Sequence, residues 1–236
     1  LDNPKTITPC GLNLGIRNAR GELIIWMSAH NEYEKKYIQK CIKYMKRYDA
    51  NAVGGVIKPI PRNNSFIGKS IRIAISHPFG VGNSAFRVGS KQPKWADTAF
   101  GVCYKKEIFG KVGFFNEELV RGQDMEFSLR LKRAGLRTLL VPEIISYYYA
   151  RSDLKSFVER NFVNGLWAIL PFKYTSIMPV SLRHLVPLVF VLGLFGSIAL
   201  SLFLGFFWQI FLFVILSYIL ANFCFSLQTI MRGKDI

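Results

Sequence analysis

The sequence predicts an α/β domain with a mainly parallel sheet, followed by interfacial helices and a two-helix transmembrane hairpin. Three observations lead there. Strand-like and helix-like segments alternate through residues 9–141, the pattern of a layered α/β domain. Residues 185–227 carry no charged side chain, a run too long for one span of about 20 residues but suited to two. The charge is also lopsided, with 31 Lys+Arg against 15 Asp+Glu and a net +16.

The elements follow in order. Residues 9–20 read as a helix stopped by Gly21, and residues 22–27 (Glu-Leu-Ile-Ile-Trp-Met) as a buried strand. Residues 34–48 are amphipathic: Tyr37, Ile38, Cys41, Ile42 and Met45 share one face, while Lys35, Lys36, Lys40, Lys43 and Lys46 cover much of the rest. Residues 52–60 return as a strand ending at Pro59 and Pro61, and residues 98–104 give another, followed by a short helix around 106–111. Residues 125–134 form a helix with Gly135 as its stop, and 138–141 a strand closed by Pro142.

Beyond residue 152 the character changes. In residues 153–184, Leu154, Phe157, Val158 and Phe162 repeat at helical spacing, and Trp167, Pro171, Phe172 and Tyr174 follow. This reads as helices lying in a membrane interface, the alternative being a surface helix packed on the domain. In 185–236, Gly205 and its aromatic neighbours mark a turn between two apolar helices, 185–204 and 210–227. Arg183 and His184 precede the pair and Arg232 and Lys234 follow it, so the positive-inside rule puts both ends, and the basic domain, in the cytoplasm. A buried helical pair in a soluble protein is the competing reading. The domains are thus 1–152, 153–184 and 185–236.

The residues before the apolar tract hold 29 of the basic and 14 of the acidic side chains. Such a surface suits nucleoside diphosphates, anionic lipid headgroups or nucleic acid. Nucleic acid rests on charge alone, since no nucleic-acid motif accompanies it, and is not expected as a partner. Cys10, Cys41, Cys103 and Cys224 lie far apart with no zinc-ligand spacing, and reduced, mostly buried thiols are expected.

Several side chains are candidates for chemistry. Ser28-Ala29-His30 directly follows a strand, where ligands of α/β sheets bind; His30 can meet a metal or a phosphate, or be a surface residue. Asp97-Thr98 precedes another strand and offers a carboxylate, or a cap for local amides. The stretch His77-Pro78-Phe79-Gly80-Val81-Gly82-Asn83-Ser84 matches no phosphate-loop fingerprint and reads as a flexible substrate loop. Asp124 sits at the start of a helix, whose dipole favours its ionised form; it suits a general base and equally a helix cap.

The chain resembles family 2 inverting glycosyltransferases of the GT-A fold, in particular membrane-associated ones of the succinoglycan-biosynthesis type. The resemblance lies in Asn3-Pro4, Leu12-Asn13-Leu14-Gly15-Ile16, Ala19-Arg20-Gly21-Glu22, Ser28-Ala29-His30 and Phe79-Gly80-Val81-Gly82. It continues through Ala96-Asp97-Thr98, Lys111-Val112-Gly113-Phe114-Phe115-Asn116-Glu117, Gln123-Asp124 and Arg130-Leu131 to Gly135. It implies that Asp124 deprotonates the acceptor hydroxyl, which attacks the anomeric carbon of a nucleotide sugar with inversion. Ser28-Ala29-His30 matches the element that holds a divalent cation, Mg or Mn, on the diphosphate, with Ser28 where an Asp normally leads. Asp97, Gln123, Arg151, Arg160 and Trp167 are then the donor- and acceptor-binding residues.

The resemblance further implies a polyprenyl-linked glycan acceptor in exopolysaccharide assembly, at the cytoplasmic membrane. The strand and loop that grip the nucleotide base are expected before Leu1, making this a fragment of a partial GT-A domain. A second reading, supported by Ser28, is a degenerate non-catalytic relative acting as a membrane scaffold.

Overall fold

The computed structural model describes residues 2–176 and 182–231 and divides into two compact units, residues 1–179 and 180–236. In the first, α1 (Thr8–Asn18) carries Pro9 in its first turn, where the fixed φ of proline suits the helix. Then come β1 (Leu23–Ile25), β2 (Asn31–Tyr33), α2 (Tyr37–Tyr48) and β3 (Ala52–Pro61). Next is α3 (Phe66–Ala74), capped by the Ser65 hydroxyl, which accepts from the Gly68 amide. The short helices α4 (Pro78–Val81) and α5 (Ala85–Val88) occupy much of the expected flexible loop and the residues after it. They are followed by β4 (Lys94–Ala96), β5 (Phe100–Lys105), α6 (Ile108–Val112), α7 (Gln123–Arg133), β6 (Thr138–Ala150), α8 (Leu154–Ile169) and α9 (Pro171–Tyr174).

The strand order is β1-β5-β3-β6-β2, with β4 also on β6. The expectation of a mainly parallel sheet is corrected: only β3 and β6 pair in parallel among the described strands, and the other ladders are antiparallel. The reason is topological. The connection through α2 leaves β1 and β3 pointing the same way, but β5 lies between them and runs against both. Alternating strands and helices fix the direction of a crossover, not which strands become neighbours.

A second correction concerns Pro142, which does not close its strand; β6 runs on to Ala150. Gly54 and Val56 of β3 face Leu140 and Ile145, so a bulge takes up the residues between, Pro142 included. A bulge is where a missing N–H is tolerated within a sheet. Opposite it, a Cβ on Gly55 would lie 2.0 Å from the Ile144 carbonyl oxygen, so only glycine fits.

The sheet has an apolar layer on each face. Val53, Cys103 and Leu139 point toward Tyr37, Cys41, Tyr44 and Met45 of α2. This buried stripe leaves Ile38, expected inside, exposed. On the other face Ala52, Val102 and Tyr104 meet Ile108, Phe109, Phe115, Phe127 and Leu131. Phe115 and Phe127 stand 4.5 Å apart, and Tyr104 lies 5.6 Å from Phe127. Burying each such ring stabilises by about 1.5–3 kcal/mol. This aromatic layer anchors α7, and Trp26, stacked on Tyr104 at 5.3 Å, carries it to the floor of a cleft.

The second unit is a pair of helices, α10 (Leu182–Ser201) and α11 (Phe206–Met231), with Gly205 in the turn and Phe190 against Tyr218 at 4.8 Å. Among the described residues α11 is the one helix long and apolar enough to cross a membrane; the apolar stretch Leu185–Ser201 is shorter. Of the expected basic flanks, Arg232, Lys234 and the side chains of Arg183 and His184 lie outside the described residues.

Candidate active site

A cleft of about 900 Å³ opens in the first unit, beyond β1 and β5 and beside the N-terminus of α7. Its walls include Ser28, His30, Gln123, Asp124, Arg151 and Arg160, six of the eight residues expected in the site. Trp167 and Asp97 are not among its lining residues. Trp167 lies near the C-terminal end of α8, half-buried. Asp97 pairs with Lys132 at 2.8 Å, both largely exposed, and its neighbour Thr98 faces the cleft instead.

Asp124 owes its position to Gly122. The chain enters α7 through Gly122 at φ +79°, a left-handed conformation that glycine adopts without strain. That turn presents Gln123 and Asp124 at the mouth of the helix. The helix is then locked from below: Glu126, on the buried side, pairs with Arg130 at 2.7 Å. The Arg130 guanidinium also donates to the carbonyls of Val112 and Phe114 at 2.5 and 2.7 Å, tying α7 to the end of α6.

Water in the cleft reaches Asp124, yet the walls around it strip enough hydration to raise its carboxyl above the ordinary aspartate value. The amides of Met125 and of Asp124 itself pull the other way, as does the charge of Arg87. The sequence expectation of a dipole-favoured ionised group thus meets an opposing effect from the depth of the cleft.

The loop after β1 is held by its own contacts. The Ser28 amide donates to the Tyr33 hydroxyl at 2.8 Å, and the Ser28 hydroxyl meets His30 Nε2 at 2.9 Å. β2 continues this loop by pairing with the far end of β6, setting Asn31 opposite Tyr148. Both side-chain polar atoms of Asn31 are buried without a hydrogen-bond partner, although the residue lines the cleft. Such an amide is ready for a ligand.

Divalent cations are general in GT-A enzymes, but these side chains do not form a set of ligands for one. Mg and Mn favour carboxylate and other oxygen donors in convergent array. Here Ser28 is a neutral hydroxyl already bonded to His30, and Glu32 accepts from the Tyr149 hydroxyl. Among the described residues no group of three His, Cys, Asp or Glu is placed to hold a metal. Asp124 is the sole carboxylate on the described cleft walls.

Residues missed from sequence also line the cleft: Arg87 on α5, Arg121 before α7, and Phe157, Asn161 and Asn164 on α8. Phe157, Arg160, Asn161 and Asn164 recur at helical spacing, so their shared face was available to periodicity. Arg121 directly precedes the glycine that turns the chain into α7. Nothing local marks Arg87, which reaches the site only because α5 packs near β3.

Residues 11–113 match Glycosyl transferase family 2. Together with the mixed sheet, this makes the first unit a GT-A-like α/β domain. A curated relative from Methanococcus voltae is 29% identical over 169 residues, covering 69% of this chain. It is a dolichyl N-acetyl-alpha-D-glucosaminyl phosphate 3-beta-D-2,3-diacetamido-2,3-dideoxy-beta-D-glucuronosyltransferase, and the aligned region covers 51% of its length, so the chain spans about half of that protein. Among solved structures, S. aureus TarS 1-349 aligns with 66% of this chain and 42% of its own, at 12% identity and a TM-score of 0.41. Its UDP-GlcNAc complex aligns with 66% of this chain and 44% of its own, at 13% identity and a TM-score of 0.39.

Proposed function

We propose that this protein transfers a sugar from a nucleotide-sugar donor to a lipid-linked saccharide, with inversion, at the cytoplasmic face of a membrane. The observation that carries the reading is Asp124, presented at the head of α7 in an arginine-lined cleft. Asp124 takes the proton of the acceptor hydroxyl as that oxygen bonds to the anomeric carbon. The bond from that carbon to the phosphate oxygen breaks, and its electron pair leaves with the nucleoside diphosphate. Gln123, Arg151 and Arg160 position donor and acceptor from three sides. Asp97 and Trp167 lie off the cleft walls and take no part in the proposed step. Ser28 and His30 do not make the donor set of Mg or Mn, and the proposed transfer proceeds on the protein's own side chains.

The lipid-linked acceptor is supported by two features. The Methanococcus voltae relative is named for a dolichyl-linked substrate. On α8, Leu154, Val158, Phe162 and Leu166 form an exposed apolar stripe at i, i+4 spacing, with Ile169 close by. A helix of this kind lies in a membrane interface. The apolar tract from residue 185 onward then anchors the domain as a hairpin, and exopolysaccharide assembly is the pathway class that joins these parts.

The test is release of nucleoside diphosphate and transfer of sugar by membranes containing the chain, across a panel of donors. Turnover of one donor, lost in Asp124→Asn, supports the proposal. Silence across the panel from demonstrably folded protein supports instead a non-catalytic scaffold, the reading that Ser28 favours.

A further inference from the structure

We infer that the leaving diphosphate is held by arginine side chains in the role a divalent cation would otherwise fill. The inference rests on the cleft being a sugar-transfer site and concerns how that site manages negative charge. Arg87, Arg121, Arg151 and Arg160 reach it from four places: α5, the turn before α7, the residue after β6, and α8. Against them stands the single carboxylate of Asp124 among the described lining residues. A cation site calls for the opposite balance, with several carboxylates facing one point.

The loop expected to carry the cation is already satisfied within itself. His30 Nε2 and the Ser28 hydroxyl bond to each other at 2.9 Å. The nearest acidic neighbour in sequence, Glu32, is engaged by Tyr149. Arg121, Arg151 and Arg160, by contrast, keep guanidinium donors for an anion. Arg121 is oriented by Asn164 Oδ1 at 2.9 Å, a contact that uses one of its five donors. Neither Arg151 nor Arg160 forms an ion pair among the described residues.

The chemistry fits that arrangement. As the anomeric carbon–oxygen bond breaks, the electron pair stays on the terminal phosphate oxygen, and the acceptor proton goes to Asp124. The diphosphate therefore gains one negative charge while the carboxylate loses one. Guanidinium forks match phosphate oxygens in pairs of hydrogen bonds. Arg121, oriented by Asn164 before the reaction, meets the growing charge without reorganising, and the other guanidiniums reach it from the same walls.

The experiment is calorimetric titration of the full chain in nanodiscs with inorganic pyrophosphate, in EDTA and then with Mg or Mn. Binding is expected in EDTA, little changed by either metal. Arg151→Gln and Arg160→Gln should each weaken it roughly tenfold, about 1.4 kcal/mol. Arg133→Gln removes the same charge from an exposed position on α7 away from the cleft and should leave binding unchanged. Thermal unfolding of each variant checks that it is folded. Binding that appears only with Mg or Mn overturns the inference, as does no binding at all, or binding in EDTA indifferent to Arg151 and Arg160. Donor turnover by the same nanodiscs separates the two claims. Transfer that demands a metal sinks the arginine role and keeps the transferase. Arginine-dependent pyrophosphate binding without transfer of any sugar keeps the arginine role and sinks the transferase.

Discussion

Arg87 on α5 and Asp124 at the head of α7 line the same cleft, and the guanidinium draws down a carboxyl that its surroundings push up. The two residues are far apart in sequence and belong to no shared motif. Their relationship makes the pH dependence of the proposed reaction a property of the fold. A general base works when ionised, so activity should fall as pH drops through the raised value of Asp124. Replacing Arg87 with Gln removes a downward influence, and the acidic limb of kcat/KM should move to higher pH. An unmoved limb would show that Asp124 is not the group that titrates.

Asp124→Asn separates catalysis from stability. Loss of a general base should lower kcat by about 10²–10⁴-fold, with donor binding retained. Its effect on folding has the opposite sign. A carboxyl whose folded value is raised favours the native state while protonated, and that contribution is lost as pH rises through the folded value. At neutral pH the native state holds a carboxylate at a cost, which the amide does not incur. Thermal unfolding of Asp124→Asn at neutral pH should therefore match or exceed that of the unsubstituted chain, and a marked loss would identify Asp124 as a structural cap.

Glu126 lies two residues beyond Asp124, but its side chain is only 4% exposed and belongs to Arg130. Removing Arg130 leaves that charge buried and unpaired, which typically costs about 3–5 kcal/mol. Arg130→Met should therefore unfold at distinctly lower urea concentration. The double variant Glu126→Leu with Arg130→Met should recover much of the loss, since a hydrophobic pair leaves no buried charge. Recovery absent in the double variant would mean that the bonds from Arg130 to Val112 and Phe114 matter more than the ion pair.

The legible parts of this chain were those with local signals. Periodicity located α1, α2, α7 and β3 within a few residues, because each buries one face of a repeating pattern. Pairing was not legible: nothing in residues 100–105 says that β5 slips between β1 and β3, and nothing in β2 or β4 says that each runs antiparallel to β6, which together make the sheet mixed. Pro142 misled because a proline looks like a stop unless its own strand bulges there and the partner strand supplies a glycine opposite. In the site, Asp124, Gln123, Ser28 and His30 sat in recognisable surroundings. Arg87 and Asn31 did not, since their place depends on a long-range approach of α5 and on the pairing of β2 with β6.

Gly122 offers a test of how finely Asp124 is aimed. A Cβ there meets no neighbour, so the difficulty of substitution lies in the positive φ alone. Alanine in that conformation costs roughly 1–2 kcal/mol, whereas asparagine visits it more readily. Gly122→Ala should lower kcat more than it changes donor KM, as the turn relaxes and moves Asp124. Gly122→Asn should restore much of the rate. Equal effects of both variants would place the sensitivity in side-chain bulk rather than backbone conformation.

The last prediction concerns the membrane. α10 and α11 are joined by an uncharged turn at Gly205, and the sequence on either side of the pair is basic. If both apolar helices span the bilayer, the turn lies outside the cell while the first unit stays in the cytoplasm. A Gly205→Cys variant should then react with a membrane-impermeant maleimide in intact cells. The native Cys10, half-buried on α1, is an internal control that should react only after permeabilisation. Labelling of Gly205→Cys only after permeabilisation would leave α11 as the sole candidate to cross, or neither helix. A single crossing would put the chain's C-terminal end on the opposite side from its first unit. It would also require the shorter apolar helix to stay on one side of the bilayer.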